Sequence, residues 1–79
     1  MVRIVYLKYD QEYQIAYYTC FPEGKENDMF ELGINPVTME IVSNSLQKNN
    51  SYSAHAAWRL FDIIKETHKL PKEATAMWV

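Results

Sequence analysis

The sequence predicts an α+β fold: a four- to five-stranded, largely antiparallel sheet packed on one amphipathic helix, in the chain order β-β-β-β-α-β. Three observations predict it. The first 43 residues hold four short segments that alternate with a period of two or are rich in β-branched and aromatic types. Residues 54–69 then repeat apolar side chains at helical spacing, and a short apolar tail follows at 74–79.

The first strand is expected at 2–9, VRIVYLKY. Val5 and Leu7 share one face, Ile4 and Tyr6 the other, and apolar residues on both faces suit an inner strand. DQE at 10–12 forms the turn into a second strand at 13–21, YQIAYYTCF. Here Tyr13, Ile15, Tyr17, Thr19 and Phe21 lie on one face and Gln14, Ala16, Tyr18 and Cys20 on the other. The first set is larger and more apolar, so it is assigned to the core, and the Tyr18 face is expected to be the less buried one.

PEGKEND at 22–28 reads as a polar loop, and MFELGI at 29–34 as a third strand. NPVT at 35–38 makes a hairpin with a type I turn into a fourth strand, MEIVS at 39–43, with Met39 where glycine often relieves a left-handed backbone. NSLQKNNS at 44–51 is expected as loop, with Ser51 or Ser53 as the helix N-cap. Ala54, Ala57, Leu60, Phe61 and Ile64 form the buried stripe of the helix, widened by Ala56 and Ile63. His55, Arg59, Asp62, Glu66 and Lys69 form its polar face. Burying Leu60, Phe61 and Ile64 contributes on the order of 1.5–3 kcal/mol each. Lys69 suits the negative helix end, and Pro71 stops the helix. ATAMWV at 74–79 is the last strand, expected at a sheet edge. If it runs parallel to the fourth strand, the helix is the crossover between them.

Composition narrows the function. The 79 residues are expected to form a single small domain, 1–79, with a thin core. Hydrophobic residues make up 48% and charged residues 23%, near the usual values of about 45–50% and about 25% and against disorder. The net charge is −2, with eight Lys and Arg scattered among ten acids. Nonspecific duplex binding draws on a basic stripe, which this pattern lacks. The one cysteine, Cys20, rules out an internal disulfide. No stretch reaches the roughly 20 apolar residues of a membrane helix, and the early apolar run is too short for a signal peptide. The expectation is a cytoplasmic protein with no membrane association.

No segment fixes a chemistry. A nucleophilic cysteine needs a thiol acidified by a cation, a helix N-terminus or a histidine base, and no spacing brings His55 or His68 to Cys20. The two histidines lie 13 residues apart on one helix, about 20 Å at 1.5 Å per residue, too far to share a metal ion. Glu23, Glu26 and Asp28 lack the alternation of a calcium loop, and Gly24 and Gly33 cannot build a phosphate loop. No metal, cofactor or catalytic residue is assigned.

What remains is aromatic. Trp58 stands between the apolar stripe and the polar face, beside Arg59, and Trp, Tyr and Arg are enriched at interface hot spots. The leading expectation is a small non-enzymatic interaction module, such as an inhibitor, an immunity-type protein or an adaptor. It would bind another protein through Trp58, Arg59, His55, Tyr18 and Trp78, with self-association through the last strand as an accompaniment. A nucleic-acid-binding domain using exposed sheet tyrosines (Tyr6, Tyr9, Tyr18) is the alternative, although the charge makes nucleic acid the lesser expectation. An enzyme subunit using Cys20 or His55 is a third reading.

Overall fold

The computed structural model describes residues 1–44 and 50–78. Five strands, β1 (Val2–Asp10), β2 (Ile15–Pro22), β3 (Phe30–Asn35), β4 (Glu40–Asn44) and β5 (Glu73–Ala76), and one helix, α1 (Asn50–Thr67), follow in the order β-β-β-β-α-β. The sheet order is β4-β3-β2-β1-β5, and every neighbouring pair is antiparallel. β1 is an inner strand, as its two apolar faces require. Successive reversals from β4 to β5 leave those two edge strands running in the same direction, so α1 carries the chain from one edge to the other.

Both tight hairpins use the same local chemistry. Asp10 ends β1, and its Oδ1 accepts hydrogen bonds from the backbone N–H of Glu12 at 2.9 Å and Tyr13 at 3.3 Å. Asn35 ends β3, and its Oδ1 accepts from the N–H of Val37 at 2.8 Å and Thr38 at 3.1 Å. Each turn closes on a residue with left-handed backbone, Gln14 at φ 56° and Met39 at φ 61°. An L side chain costs roughly 1–2 kcal/mol there, offset in part by the entropy glycine loses on folding. Gln14→Gly, at an exposed position, is expected to raise stability by about 0.5–1 kcal/mol, read as an upward shift of the urea midpoint, whereas Met39→Gly also loses the packing of Met39 against the core and is expected to gain less. Tyr13 therefore lies in a turn and is exposed, not in the core as its alternation suggested.

The core lies on one face of the sheet, under α1. It joins Val2 and Ile4 of β1, Ala16, Tyr18 and Cys20 of β2, and Phe30, Leu32 and Ile34 of β3. Ala56, Ala57, Leu60, Phe61 and Ile64 of the helix, with Ala76 of β5, complete it. The face expected for β2 is thus inverted: Ala16, Tyr18 and Cys20 are buried, while Ile15, Tyr17, Thr19 and Phe21 line the face away from the helix, half-buried. The physical reason lies across the strands. On the outer face the Tyr17 ring lies against Gly33, where an added Cβ would come within 3.1 Å of Tyr17 Cε1 and 3.2 Å of Ile15 Cγ2. A glycine in mid-strand lets the aromatic ring lie flat over the sheet without a second layer.

The helix starts four residues before the expected body. Ser51 and Ser53 lie inside it, so neither is its N-cap. Ser53 is buried and accepts a 2.8 Å hydrogen bond from Asn44 Nδ2, tying α1 to the end of β4. The expected loop at 45–49, and Val79 of the expected last strand, lie outside the described residues. At its far end, α1 closes on His68, which adopts a left-handed backbone at φ 58° and donates its N–H to Ile64 O at 2.8 Å. The exit segment is then pinned: Tyr18 O–H donates to Pro71 O at 2.8 Å, and Tyr6 N–H to Lys72 O at 2.9 Å.

Candidate functional site

Four of the five expected site residues converge. Tyr52, His55, Trp58, Arg59 and Asp62 recur at steps of three and four, which lines them along one side of α1. That side faces the segment leaving β5. Trp78 folds back so that its ring stacks on His55, with centroids 4.0 Å apart and planes 5° apart. Tyr52 meets Trp78 edge-on at 5.5 Å, and His55 meets Trp58 edge-on at 5.2 Å. Edge-to-face and offset-stacked pairs add about 0.5–1.5 kcal/mol each beyond their buried area. His55 is therefore held between two tryptophans rather than solvated on the polar face.

A carboxylate anchors the other end of this cluster. Glu23 Oε2 accepts from Tyr52 O–H at 3.0 Å and from the Met1 ammonium at 2.8 Å. These two donors hold the Glu23 carboxyl below its ordinary range, and the same carboxylate pushes the Tyr52 phenol up. Tyr52 and Glu23 escape a sequence reading for different reasons. Tyr52 fits the helical stripe once the helix begins at Asn50, whereas nothing local pairs it with a residue 29 positions away.

The outer part of the site is open. Trp58 is 58% exposed and Met77 80% exposed. Between them lies a depression of about 250 Å³, lined by His55, Trp58, Arg59, Asp62, Ala76 and Met77. It borders the free side of β5. Ala74 and Ala76 face Ile4 and Val2 across the β1–β5 ladder, and Lys72 already accepts from Tyr6. Antiparallel pairing alternates, so the backbone groups of Glu73, Thr75 and Met77 point away from β1, toward the open edge. The opposite edge differs: in β4 the register shift beside Gly33 leaves Val42 as an extra residue, a bulge of the kind that blunts strand pairing.

Tyr18 stands apart from this surface. It is fully buried beneath α1, its hydroxyl is engaged by Pro71, and its ring meets Tyr6 edge-on at 5.5 Å. The expectation of an exposed Tyr18 is overturned, and with it goes the central residue of the nucleic-acid alternative. The cations of the open sheet face sit over rings: Lys8 Nζ lies 5.0 Å from the Tyr17 centroid and the Arg3 guanidinium 5.6 Å from that of Phe21. Arg3 also pairs with Glu73 at 2.8 Å.

Cys20 is buried, and burial pushes its thiol up to about 12. A thiol so protonated and enclosed is the reverse of an activated nucleophile. Among the described residues, no three His, Cys, Asp or Glu side chains converge as a metal site, and no helix is long and apolar enough to cross a membrane. No protein-family model, curated protein or solved structure matches this chain.

Proposed function

We propose that this chain acts as a small non-enzymatic protein-interaction module, an inhibitor, immunity-type protein or adaptor, and that its contact surface is the edge formed by β5 and the N-terminal half of α1. One observation carries the reading: Tyr52, His55, Trp58 and Trp78 gather at a sheet edge whose outward backbone groups have no partner strand among the described residues. Trp58 and Met77 supply exposed anchors, Arg59 and Asp62 a polar rim, and β5 main-chain groups at two-residue spacing for strand addition. The partner is another protein. A second copy of this chain, paired through β5, uses the same groups. A lone buried cysteine suits a reducing compartment, and the cytoplasm is the compartment this reading takes.

The test is affinity capture of the tagged chain from its native lysate, with and without nuclease, beside sedimentation of the purified protein. Trp58→Ala is expected to weaken the captured complex at least tenfold, the scale of a hot-spot loss of about 2 kcal/mol. Thr75→Pro removes an outward N–H while leaving the β1 ladder intact, and is expected to weaken it as well. A monomer that retains no protein, or a complex indifferent to both substitutions, sinks the proposal. Partners lost on nuclease treatment shift the assignment to nucleic acid.

A further inference from the structure

The opposite end of α1 carries a second surface with a different chemistry. Where the helix C-terminus overhangs the β3–β4 hairpin, the two layers part and leave a groove of about 450 Å³. That size is within the roughly 300–1,000 Å³ of small-molecule sites. Its floor is apolar: Pro36, Val37, Met39, Ile64 and Leu70. Ile64 belongs to the core, and Met39 and Leu70 pack against that core. The floor is thus the open end of the hydrophobic interior and not a surface dimple. The remaining lining residues are Lys65, His68 and Lys69, all exposed, and no acid lines the groove. Among the described residues the ion pairs engage Glu23 and Glu73, so neither lysine is neutralised by one.

The backbone donors around this mouth are already engaged. The N–H groups of Val37 and Thr38 go to Asn35 Oδ1, that of Met39 to Asn35 O, that of His68 to Ile64 O, and that of Lys69 to Thr67 Oγ1. A peptide laid here would find few main-chain N–H donors for its own carbonyls, and burying those carbonyls unpaired is unfavourable. A ligand without amides incurs no such cost. The negative end of the helix dipole disfavours an anion deep in the groove, but Lys65 in the last turn of α1 and Lys69 in the segment just beyond it both line the rim and oppose that field. Two lining residues, Met39 and His68, hold left-handed backbones without being glycine. Local strain of this kind gathers at ligand clamps.

We propose that this groove binds a single-tailed anionic amphiphile, a medium-chain fatty carboxylate. The alkyl tail lies on Val37, Met39, Ile64 and Leu70, and the carboxylate meets the ammonium groups of Lys65 and Lys69. This site is independent of the β5 edge.

The probe is sodium decanoate below its micelle concentration, titrated into the full chain and followed by amide chemical shifts, with decanol and decylammonium as parallel arms. Saturable shifts are expected at Val37, Met39, Ile64, Lys65 and Leu70. Ion pairs at an exposed rim contribute modestly, so the K65Q/K69Q double variant should bind decanoate about fivefold more weakly, with decanol binding unchanged. Both lysines are exposed, and the variant's own spectrum reports its fold. The proposal is overturned if decanoate gives no saturable shift, if decylammonium binds as tightly, or if the shifts map to the Trp58–Trp78 edge. It is also overturned if an acidic apolar peptide occupies the groove and decanoate does not.

Discussion

Tyr18→Ala is expected to lower the stability of the fold by about 3–5 kcal/mol, the range for removing a large buried aromatic. A chain of this size holds roughly 0.05–0.15 kcal/mol per residue in total, so the variant is left with little or none. Two contributions combine. The ring is fully buried among Ile4, Leu32 and Leu60 in the core cluster, and truncation leaves a cavity that a thin core cannot collapse around. Its hydroxyl also donates to Pro71 O at 2.8 Å, which ties the segment between α1 and β5 to the centre of the sheet. Tyr18→Phe separates the two. It keeps the ring and leaves the Pro71 carbonyl without this donor, for an expected loss of about 1 kcal/mol. Urea denaturation followed by far-UV circular dichroism measures both. A Tyr18→Ala variant within about 1 kcal/mol of the wild type would show that this face of β2 is not the core. Because Lys72 and β5 follow directly on Pro71, Tyr18→Phe should also loosen amide protection in 73–76, where the proposed contact edge lies.

The same residue marks where reading the sequence reached its limit. Element order, the amphipathic helix and the left-handed Met39 turn were legible because each rests on local chemistry: period-two alternation, helical spacing, and an Asn-Pro turn. The buried face of β2 was not, because alternation says only which residues share a face. Choosing the larger set, with Tyr17 and Phe21, ignores what lies opposite. Gly33 on β3 makes room for Tyr17 outside, and Ala16 and Cys20 share the core with Ala56 and Ala57, where small side chains let the layers approach closely. The mid-strand glycine was the available signal. At the site, Trp58 was legible as the border of the helical stripe, Arg59 and His55 as its neighbours on the polar face, and Trp78 as an aromatic near the chain's end. Their stacking on one another depends on β5 pairing with β1 rather than with β4, and sequence periodicity carries no strand order.

Alkaline pH is expected to destabilise this protein earlier than its surface charges alone would. Burial lifts the Cys20 thiol from 9.0 to about 12, and burial followed by the neighbouring Tyr6 lifts the Tyr18 phenol above 10.0. Both groups are neutral when protonated, so the folded state keeps protons that the unfolded chain releases. Stability then falls as pH rises. The contribution of Cys20 is fully present below pH 9 and is lost progressively between about 9 and 12. At about pH 10.5 its share of the loss is on the order of 2 kcal/mol, since each tenfold difference in proton affinity between the folded and unfolded chain corresponds to about 1.4 kcal/mol. The measurement is the urea midpoint near neutrality and again at the alkaline pH, for the wild type and for Cys20→Ala. The variant starts lower, by about 1 kcal/mol for the lost sulfur contacts, but its midpoint should fall less steeply with pH because one of the two buried titrations is gone. Parallel slopes would contradict the burial of Cys20, as would rapid reaction of the native thiol with a disulfide reagent at neutral pH. The outcome also bears on chemistry at this residue: a thiol that ionises only as the fold opens has no thiolate to offer a substrate, which favours the proposed aromatic edge over Cys20 as the functional surface.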